Sequence, residues 1–411
     1  MAGEDAALAV AARGGSCSLG SPTLRYPGIA TPGAPESLRE LVGRYDPAVF
    51  EEGGARFRIR LAVADEGAWD AVIEGGAARL EDAADERPDA VLTADAPTWR
   101  RIATGLRGGM DAFRRGRLRV RHNLHAGVGF LAATSGATEP GRLEFRRVAG
   151  LSYLQAGVGT PVVMVHGLGG TKVSMLPTVA ALAPRGFHAV SVDLPGAGDS
   201  DKPLGAPYDA RFYADSVVAF LDALGIERAH VVGNSLGGRV ALELGLRHPG
   251  RVRRLALLAP SLAWRRDRPW APLLRRVRPE LGLLQMAPRP VVEGIVRNVI
   301  PGGQDGWAAA GVDEFLRVYT TPRGRAAFYA AARQIYLEEP EGDQGFWPRL
   351  KTLEPDALFV WGRQDRLVPL AFARHVSEAA PGARHVELDC GHVPQLERPS
   401  ETHAAVMAFL R

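Results

Sequence analysis

The feature that most constrains this chain is a serine set among glycines at the point where a buried strand gives way to a helix. The apolar run AHVV (229–232) is typical of a strand buried on both faces, and LGGRVALELGLRH (236–248) has the composition of a helix. The residues between them, GNSLG, therefore form a sharp strand-to-helix turn. Glycine permits backbone angles and close approaches that a side chain would block, so the Ser235 hydroxyl is expected to project above the sheet edge as a nucleophile.

A serine hydroxyl is a weak nucleophile, so it needs an imidazole as base and a carboxylate to orient that imidazole. Of the ten histidines, His392 lies in a late loop, DCGHVPQLERP, between a predicted strand and a final helix, and it is the predicted base. Asp365 follows the predicted strand DALFVWG, 27 residues before His392, and is the predicted acid. Asp389 is closer to His392 in the sequence, but it lies within or just after a strand and is therefore the weaker candidate for the acid. Asp193 precedes the nucleophile in the chain and is expected to brace its own loop by hydrogen bonds.

The oxyanion formed when serine attacks a carbonyl needs backbone N–H donors. The turn HGLGG, which begins at His166, follows the predicted strand PVVMV and offers small residues where amides must face a cavity. We therefore assign the oxyanion hole to the amides of Leu168 and Leu236, and we expect the His166 ring to make local hydrogen bonds. Asn234 and Val393, the neighbours of Ser235 and His392, are the predicted substrate contacts.

The second half of the chain alternates apolar strands with helical stretches. After a predicted hairpin, LEFRRV and LSYLQAG, come PVVMVHG, HAVSVDLPG, AHVVGNS, VRRLALLAP and DALFVWG, each separated from the next by a helical stretch. Continuous apolar runs such as VVMV suit a parallel sheet covered on both faces, which predicts an α/β architecture.

These motifs together resemble the α/β-hydrolase family over residues 142–411. HGLGG, DLPGAGDSDKP, GNSLGG, WGRQDRLVP and CGHVPQLERP follow the order and spacing of that family. The resemblance implies an α/β-hydrolase fold with a helical lid, which we place at about residues 262–350, where short predicted helices are interrupted by prolines. GNSLGG and CGH also look like the carbon–carbon bond hydrolases that cleave ring-fission products, although those proteins commonly carry Trp after the histidine and this chain has Val393.

The first half has a different pattern. Residues 1–35 are rich in Gly, Ala, Ser and Pro without a period, which predicts a disordered leader. Residues 36–133 contain FRIRLAV (57–63), whose alternation predicts a strand with one buried face, then three short strands expected to form an antiparallel meander, two short helices and a last strand. Residues 134–141, TSGATEPG, are a predicted linker.

The order of these elements, from AVLTADAPTWRRIATG to GGMDAFRRGRLRVRHNL, resembles the sterol carrier protein type-2-like domain. That resemblance implies a small α+β, lipid-carrier-like domain with a five-stranded sheet and an apolar tunnel, and hence a lipid ligand in the N-terminal domain. A generic α+β accessory domain without a ligand is the alternative.

Composition limits the partners. Hydrophobic residues make up 46% and charged residues 23% of the 411 residues, and the formal net charge of +4 is spread among interleaved acidic and basic residues, so no nucleic-acid partner is expected. Two cysteines cannot form a disulfide framework, no metal-ligand spacing surrounds them, and no secretion signal or membrane span is visible. We therefore expect a cytoplasmic protein without metal or cofactor.

One stretch of the predicted lid is more basic than the rest. Residues 261–300 hold eight arginines against three acidic residues, a surplus of five positive charges. This surplus is compatible with a solvated helix face and also with contact to a membrane surface or to an acidic carrier protein.

The main functional prediction is a serine hydrolase that cleaves carboxylic esters or thioesters of small lipophilic substrates through a Ser-His-Asp triad and an acyl-enzyme. Two alternatives stay open. One is a carbon–carbon bond hydrolase of the ring-fission-product type, and the other is a non-catalytic protein that binds lipid or another ligand.

Overall fold

Two β-sheets, one in each half of the chain, organise the structure. Three predicted segments lie partly outside the described residues. Only 33–35 of the predicted leader are described, and the excluded residues also comprise 137–139 of the predicted linker and most of 262–304 in the predicted lid. Residues 34–411 form one unit. The computed structural model describes residues 33–50, 56–103, 112, 115–136, 140–264, 271–276, 290, 291, 294 and 305–411.

The first half contains a five-stranded sheet with helices. Its elements are α1 (Glu36–Gly43), β1 (Phe57–Val63), β2 (Gly67–Glu74), β3 (Ala77–Asp82), β4 (Ala90–Ala94), α2 (Ala96–Ala103), β5 (Leu118–Arg121) and α3 (Leu124–Ala133). The strand order is β3-β2-β1-β4-β5. The meander prediction is correct for β1, β2 and β3 but wrong for β4, which pairs parallel to β1. The chain leaves β3 at one edge of the sheet and returns beside β1, a crossover that local periodicity does not reveal.

Strand β1 also departs from the expected single buried face. Arg58 is 8% exposed, and its guanidinium lies 3.1 Å from a carboxylate oxygen of the fully buried Asp70. Arg60 donates two hydrogen bonds to the same carboxylate, at 2.8 and 3.0 Å. Burial acts to raise the pKa of Asp70, but the hydrogen bonds from the two arginines and the Ala84 amide lower it overall. The arginines can therefore lie within the protein because β2 supplies a counter-charge.

The second half contains an eight-stranded sheet in which six neighbouring strands are parallel and an antiparallel hairpin lies at one edge. The predicted hairpin and the predicted buried strands are confirmed. The strand order is β13-β12-β11-β10-β8-β9-β7-β6. The strands are β6 (Glu144–Val148), β7 (Leu151–Ala156), β8 (Thr160–Val165), β9 (Phe187–Val192), β10 (Ala229–Asn234), β11 (Val252–Leu258), β12 (Ala357–Gly362) and β13 (Arg384–Leu388).

Helices connect these strands. The helices are α4 (Leu176–Leu182), α5 (Ala210–Ala223), α6 (Leu236–Arg247), α7 (Ala271–Arg276), α8 (Asp305–Tyr319), α9 (Pro322–Leu337), α10 (Phe346–Leu350), α11 (Phe372–Ala379), α12 (Pro394–Glu397) and α13 (Pro399–Leu410). Helices α7 to α10 fall within the predicted lid, whose covering role stays a prediction. Across the described part of the chain, no helix combines the length and apolar character that a membrane crossing requires.

The strand order creates a switch point beside β8. From β8 the chain moves to β9 on one side, whereas β10 pairs with β8 on the other. The loops after β8 and β10 therefore diverge at the same edge of the sheet and leave a crevice between them. Open α/β sheets bind ligands in a crevice of this kind.

The two sheets share a hydrophobic core. Every residue of α3 is buried, and one continuous cluster joins Phe50 and Phe130 of the first half to Phe145 and Val162 of the second. The Phe145 amide donates to the Val49 carbonyl at 2.7 Å, and the Phe50 and Phe145 rings meet edge to face. The predicted linker therefore connects two sheets that pack against each other.

We predict that Gly129→Ala destabilises this shared core. A Cβ at Gly129 would lie 2.4 Å from the Phe50 ring, and that ring is itself held by Phe57, His125 and Phe145. The free energy of unfolding should fall by about 1–3 kcal/mol, as is typical for overpacking, measured by urea denaturation.

Gly311→Ala is the matched control for this substitution. Gly311 also lies in a helix, but an added Cβ would meet open space, so helix propensity should raise the free energy of unfolding by up to about 1 kcal/mol. If Gly129→Ala were as stable as the wild type, the described contact between α3 and Phe50 would be incorrect.

Candidate active site

The Ser235 turn depends on glycines packed against neighbouring backbone. Ser235 has φ 54° and ψ −117°, a conformation that a non-glycine residue adopts only under structural constraint. A Cβ at Gly233 would lie 2.3 Å from the Gly237 carbonyl oxygen, and a Cβ at Gly237 would lie 2.1 Å from the Val165 carbonyl oxygen. The predicted strand-to-helix turn is therefore present, and its glycines allow α6 to start directly against the end of β8.

The structure brings the three predicted catalytic side chains together. His392 Nε2 lies 2.8 Å from Ser235 Oγ, and His392 Nδ1 lies 2.7 Å from Asp365 Oδ2. The other carboxylate oxygen of Asp365 accepts hydrogen bonds from the amides of Leu367 and Val368, at 2.8 and 2.9 Å. With Nδ1 donating to Asp365, the imidazole presents Nε2 as an acceptor for the serine proton.

A carboxylate that the sequence reasoning missed holds the His392 loop. Glu397, at the end of the short helix α12, accepts hydrogen bonds from the amides of Gly391 and Val393, at 2.8 and 3.0 Å. Both neighbours of His392 are thereby fixed. The presence of a glutamate five residues after the histidine was the available sequence signal.

The Asn234 side chain joins two loops of the site. Its Nδ2 group donates to the carbonyls of Leu258 and His392, at 2.9 and 3.1 Å, and the side chain is buried. Its amide therefore links the nucleophile turn to the base loop. Contact of Asn234 and Val393 with substrate stays a prediction.

The predicted oxyanion donors lie beside the serine. A Cβ at Gly167 would lie 3.1 Å from the Ser235 Cβ, so the turn after β8 touches the nucleophile. Leu168 follows in that turn, Leu236 is the first residue of α6, and both line the cavity. Amides at the amino end of a helix also favour negative charge, which suits a developing oxyanion.

His166 makes the local hydrogen bonds that the sequence predicted. Its Nε2 accepts from the Leu194 amide at 3.1 Å, which leaves Nδ1–H to donate to the Gly167 carbonyl at 2.8 Å. Burial lowers the pKa of the ring, so it stays neutral at pH 7. His166 thereby fixes the turn that carries Leu168.

Asp193 braces its loop, as predicted, and does so through a buried ion pair. The Lys172 ammonium lies 2.6 Å from Asp193 Oδ2 and 3.1 Å from Asp199 Oδ2, and neither Lys172 nor Asp193 is exposed. The Lys172 and Asp199 amides also donate to Asp193. Burial alone would lower the pKa of Lys172, but the two carboxylates outweigh it and raise that pKa.

A small, mainly apolar cavity is lined by the two predicted oxyanion donors, Leu168 and Leu236, and none of the three catalytic side chains is among its described lining residues. It has a volume of about 40 Å³ and is bounded by the turns after β8 and β9 and by helices α8 and α9. Aromatic side chains form much of its wall: Tyr213, Phe315, Tyr319 and Phe328. Among the described lining residues there is no lysine, arginine or carboxylate.

Comparisons with known proteins agree with this architecture. The model of a protein family described as alpha/beta hydrolase fold matches residues 160–399. The 2-hydroxymuconate semialdehyde hydrolase of Pseudomonas sp. (strain CF600) is 27% identical over 274 residues, which cover 62% of this chain and 88% of that protein. The 2-hydroxy-6-oxo-6-phenylhexa-2,4-dienoate hydrolase of Comamonas testosteroni is 28% identical over 283 residues, covering 64% and 91% respectively.

One solved structure adds a further similarity. The enol-lactonase from Burkholderia xenovorans LB400 superposes with a TM-score of 0.53 and 25% sequence identity. The superposition covers 65% of this chain and 99% of that chain.

We predict that Ser235→Ala abolishes hydrolysis and leaves the fold intact, because the attacking oxygen is removed and only a hydroxyl is lost. The turnover number should fall by at least about a thousandfold, measured with a chromogenic ester. Ser216→Ala is the control, since that hydroxyl only donates to the Phe212 carbonyl within α5. Appreciable turnover by purified Ser235→Ala protein would refute the assignment.

Substitution by asparagine should have opposite effects at the two buried aspartates, lowering activity at one and stability at the other. Asp365→Asn should lower kcat by about 10³–10⁴-fold, because the imidazole loses its orienting partner, with little change in melting temperature. Asp193→Asn should cost about 3–5 kcal/mol of stability, because Lys172 stays buried without its main partner. Steady-state kinetics and thermal unfolding on both variants measure the contrast. An inactive but stable Asp193→Asn protein beside an active Asp365→Asn protein would reverse the assignment.

Proposed function

The chain belongs to the alpha/beta hydrolase family, and we propose that Ser235 attacks the carbonyl of its substrate and that the leading reaction is carbon–carbon bond hydrolysis of a ring-fission product. The observation that carries the proposal is the hydrogen-bonded series Ser235, His392 and Asp365 at 2.8 and 2.7 Å, beside amides able to hold an oxyanion.

Each residue has a defined chemical task in this mechanism. Ser235 Oγ adds to the carbonyl carbon while His392 Nε2 takes the hydroxyl proton, and the amides of Leu168 and Leu236 stabilise the oxyanion. Collapse of the intermediate breaks the bond to the leaving group, which receives the proton from His392. Water, deprotonated by the same imidazole, then releases the acid and restores Ser235. Asp365 stabilises the imidazolium in both stages.

The relatives favour carbon–carbon cleavage as the specific reaction. The two relatives are named as hydrolases of 2-hydroxymuconate semialdehyde and of 2-hydroxy-6-oxo-6-phenylhexa-2,4-dienoate, neither of which contains an ester, and the similarity spans 88% and 91% of their length. A carbon leaving group must be stabilised by conjugation, which the dienoate of such a substrate provides. Val393 follows the base His392, whereas the carbon–carbon bond hydrolases that cleave ring-fission products commonly have Trp at this position. The space beside His392 therefore differs from that in those hydrolases.

Ester hydrolysis is the second candidate, because the described cavity wall suits an uncharged acyl group. That wall holds no cationic side chain that would pair with a substrate carboxylate. The similarity to an enol-lactonase points the same way, since a lactone is a cyclic ester. Thioesters share this chemistry.

The other predictions about ligands remain predictions. Binding of lipid by residues 36–133 rests on the resemblance described from the sequence. Contact of the basic stretch 261–300 with a membrane or an acidic carrier concerns residues that lie mostly outside the described ranges. A non-catalytic binding function would leave the assembled triad without a purpose.

The candidates are separated by parallel assays on the full chain. We expect wild-type protein to bleach the visible absorbance of 2-hydroxy-6-oxo-6-phenylhexa-2,4-dienoate, with a higher kcat/KM than for p-nitrophenyl butyrate, and Ser235→Ala to do neither. Turnover of the ester alone would favour the second candidate. Failure on both substrates, together with no labelling of Ser235 by a fluorophosphonate, would refute catalysis.

A further inference from the structure

The turn between β5 and α3 of the first half is joined to helix α8 of the second half. Arg121 donates to both carboxylate oxygens of Asp313, at 2.6 and 3.3 Å, and the His122 amide donates to Asp313 Oδ2 at 3.0 Å. His122 has φ 71°, a strained conformation for a residue with a side chain. One buried carboxylate therefore holds two consecutive residues of the turn.

The next residue of α8 extends this connection. Glu314 accepts a hydrogen bond from the Leu124 amide at 3.2 Å, at the amino end of α3, where a carboxylate is favourable. Glu314 also binds Arg317, which pairs with Asp199 at 2.7 Å. Burial opposes ionisation of Asp199, but nearby cations outweigh it and hold its pKa well below the usual value. The charged contacts thus run from the first half to the loop after β9.

Helix α8 also forms part of the wall of the cavity. Phe315, Val318 and Tyr319 line it, and the Phe315 ring stacks on Tyr319 with centroids 5.0 Å apart. Phe328 of α9 meets both rings edge to face. A Cβ at Gly169 would lie 2.8 Å from the Phe315 ring, so the helix touches the oxyanion turn itself. A displacement of α8 would change the shape of the cavity, whereas the oxyanion turn is also held by the hydrogen bonds of the His166 ring.

We propose that Arg121 is a positioning residue for substrate selection: the turn at residues 121–124 holds α8 against the oxyanion turn and thereby sets which acyl groups the cavity accepts. The Asp313 carboxylate is 2% exposed, so its charge needs a partner. Arg121 supplies that charge from the first half. This inference rests on the Ser235 chemistry proposed above.

The test compares three full-length variants. Arg121→Ala removes the ion pair, Arg121→Lys keeps the charge without the two-point contact, and Arg119→Ala removes an exposed arginine from the same strand. Hydrogen exchange of the amides in 305–319 reports the position of α8 directly. Kinetics with p-nitrophenyl hexanoate and p-nitrophenyl acetate report selection, and fluorophosphonate labelling reports the state of Ser235.

We expect Arg121→Ala to accelerate exchange in 305–319 and to raise the KM for the hexanoyl ester about fivefold, in the range typical of coupled sites. The acetyl ester places the shortest acyl group in the cavity, and the His166 ring still holds the oxyanion turn, so this ester should keep its KM and kcat and labelling should not change. Arg121→Lys should restore most of the wild-type exchange rate and most of the wild-type KM, and Arg119→Ala should match the wild type.

Two results would overturn the proposal. One is exchange in 305–319 that is unchanged in Arg121→Ala, and the other is an equal loss on both esters, which would indicate a general structural role. The exchange measurement does not require turnover. A wild-type protein that hydrolyses no ester and resists labelling would count against the proposed function, while the exchange data would still decide whether Arg121 holds α8.

Discussion

The close approach of helix α6 to the end of strand β8 is the constraint on which the rest of the site depends. Gly237 lies against the Val165 carbonyl so closely that any Cβ would overlap it. This contact forces Ser235 into a strained conformation, points its hydroxyl at His392, and places the first amide of α6 beside the turn that carries Leu168. Ser235 and the predicted oxyanion donors are therefore positioned by backbone packing before any substrate binds, which is the arrangement that stabilises developing charge without reorganisation.

Buried charges fix the loops around this centre. Lys172 and Asp193 form a fully buried pair under the loop after β9, and Arg317 of α8 joins the same group through Asp199. Such pairs gain little net stability because desolvation offsets the attraction, but loss of one partner is costly. Their effect here is to hold the loop after β9 and helix α8, which both line the cavity, in a single arrangement. The first half of the chain joins the same network through the Leu124 amide, which donates to Glu314, because Glu314 pairs with Arg317.

The sequence predicted the parts that local patterns specify and missed those that depend on distant partners. The Ser235 turn, the buried strands and the positions of Asp365 and His392 follow from short motifs in a fixed order, and the structure brings these side chains together. The parallel pairing of β4 was missed because it depends on a crossover, and the inward arginines of β1 because their partner lies on β2. The contact between Asp313 and Arg121 joins residues 192 positions apart, which no local period encodes.

The proposed mechanism requires Ser235 to be the nucleophile. Mass spectrometry of intact wild-type protein mixed with an ester tests it most directly, with rapid acid quenching and peptide mapping of the adduct. We expect a single acyl group on the peptide that contains Ser235, formed within one turnover and lost as product appears. Product formation with the acyl group on another residue would contradict it.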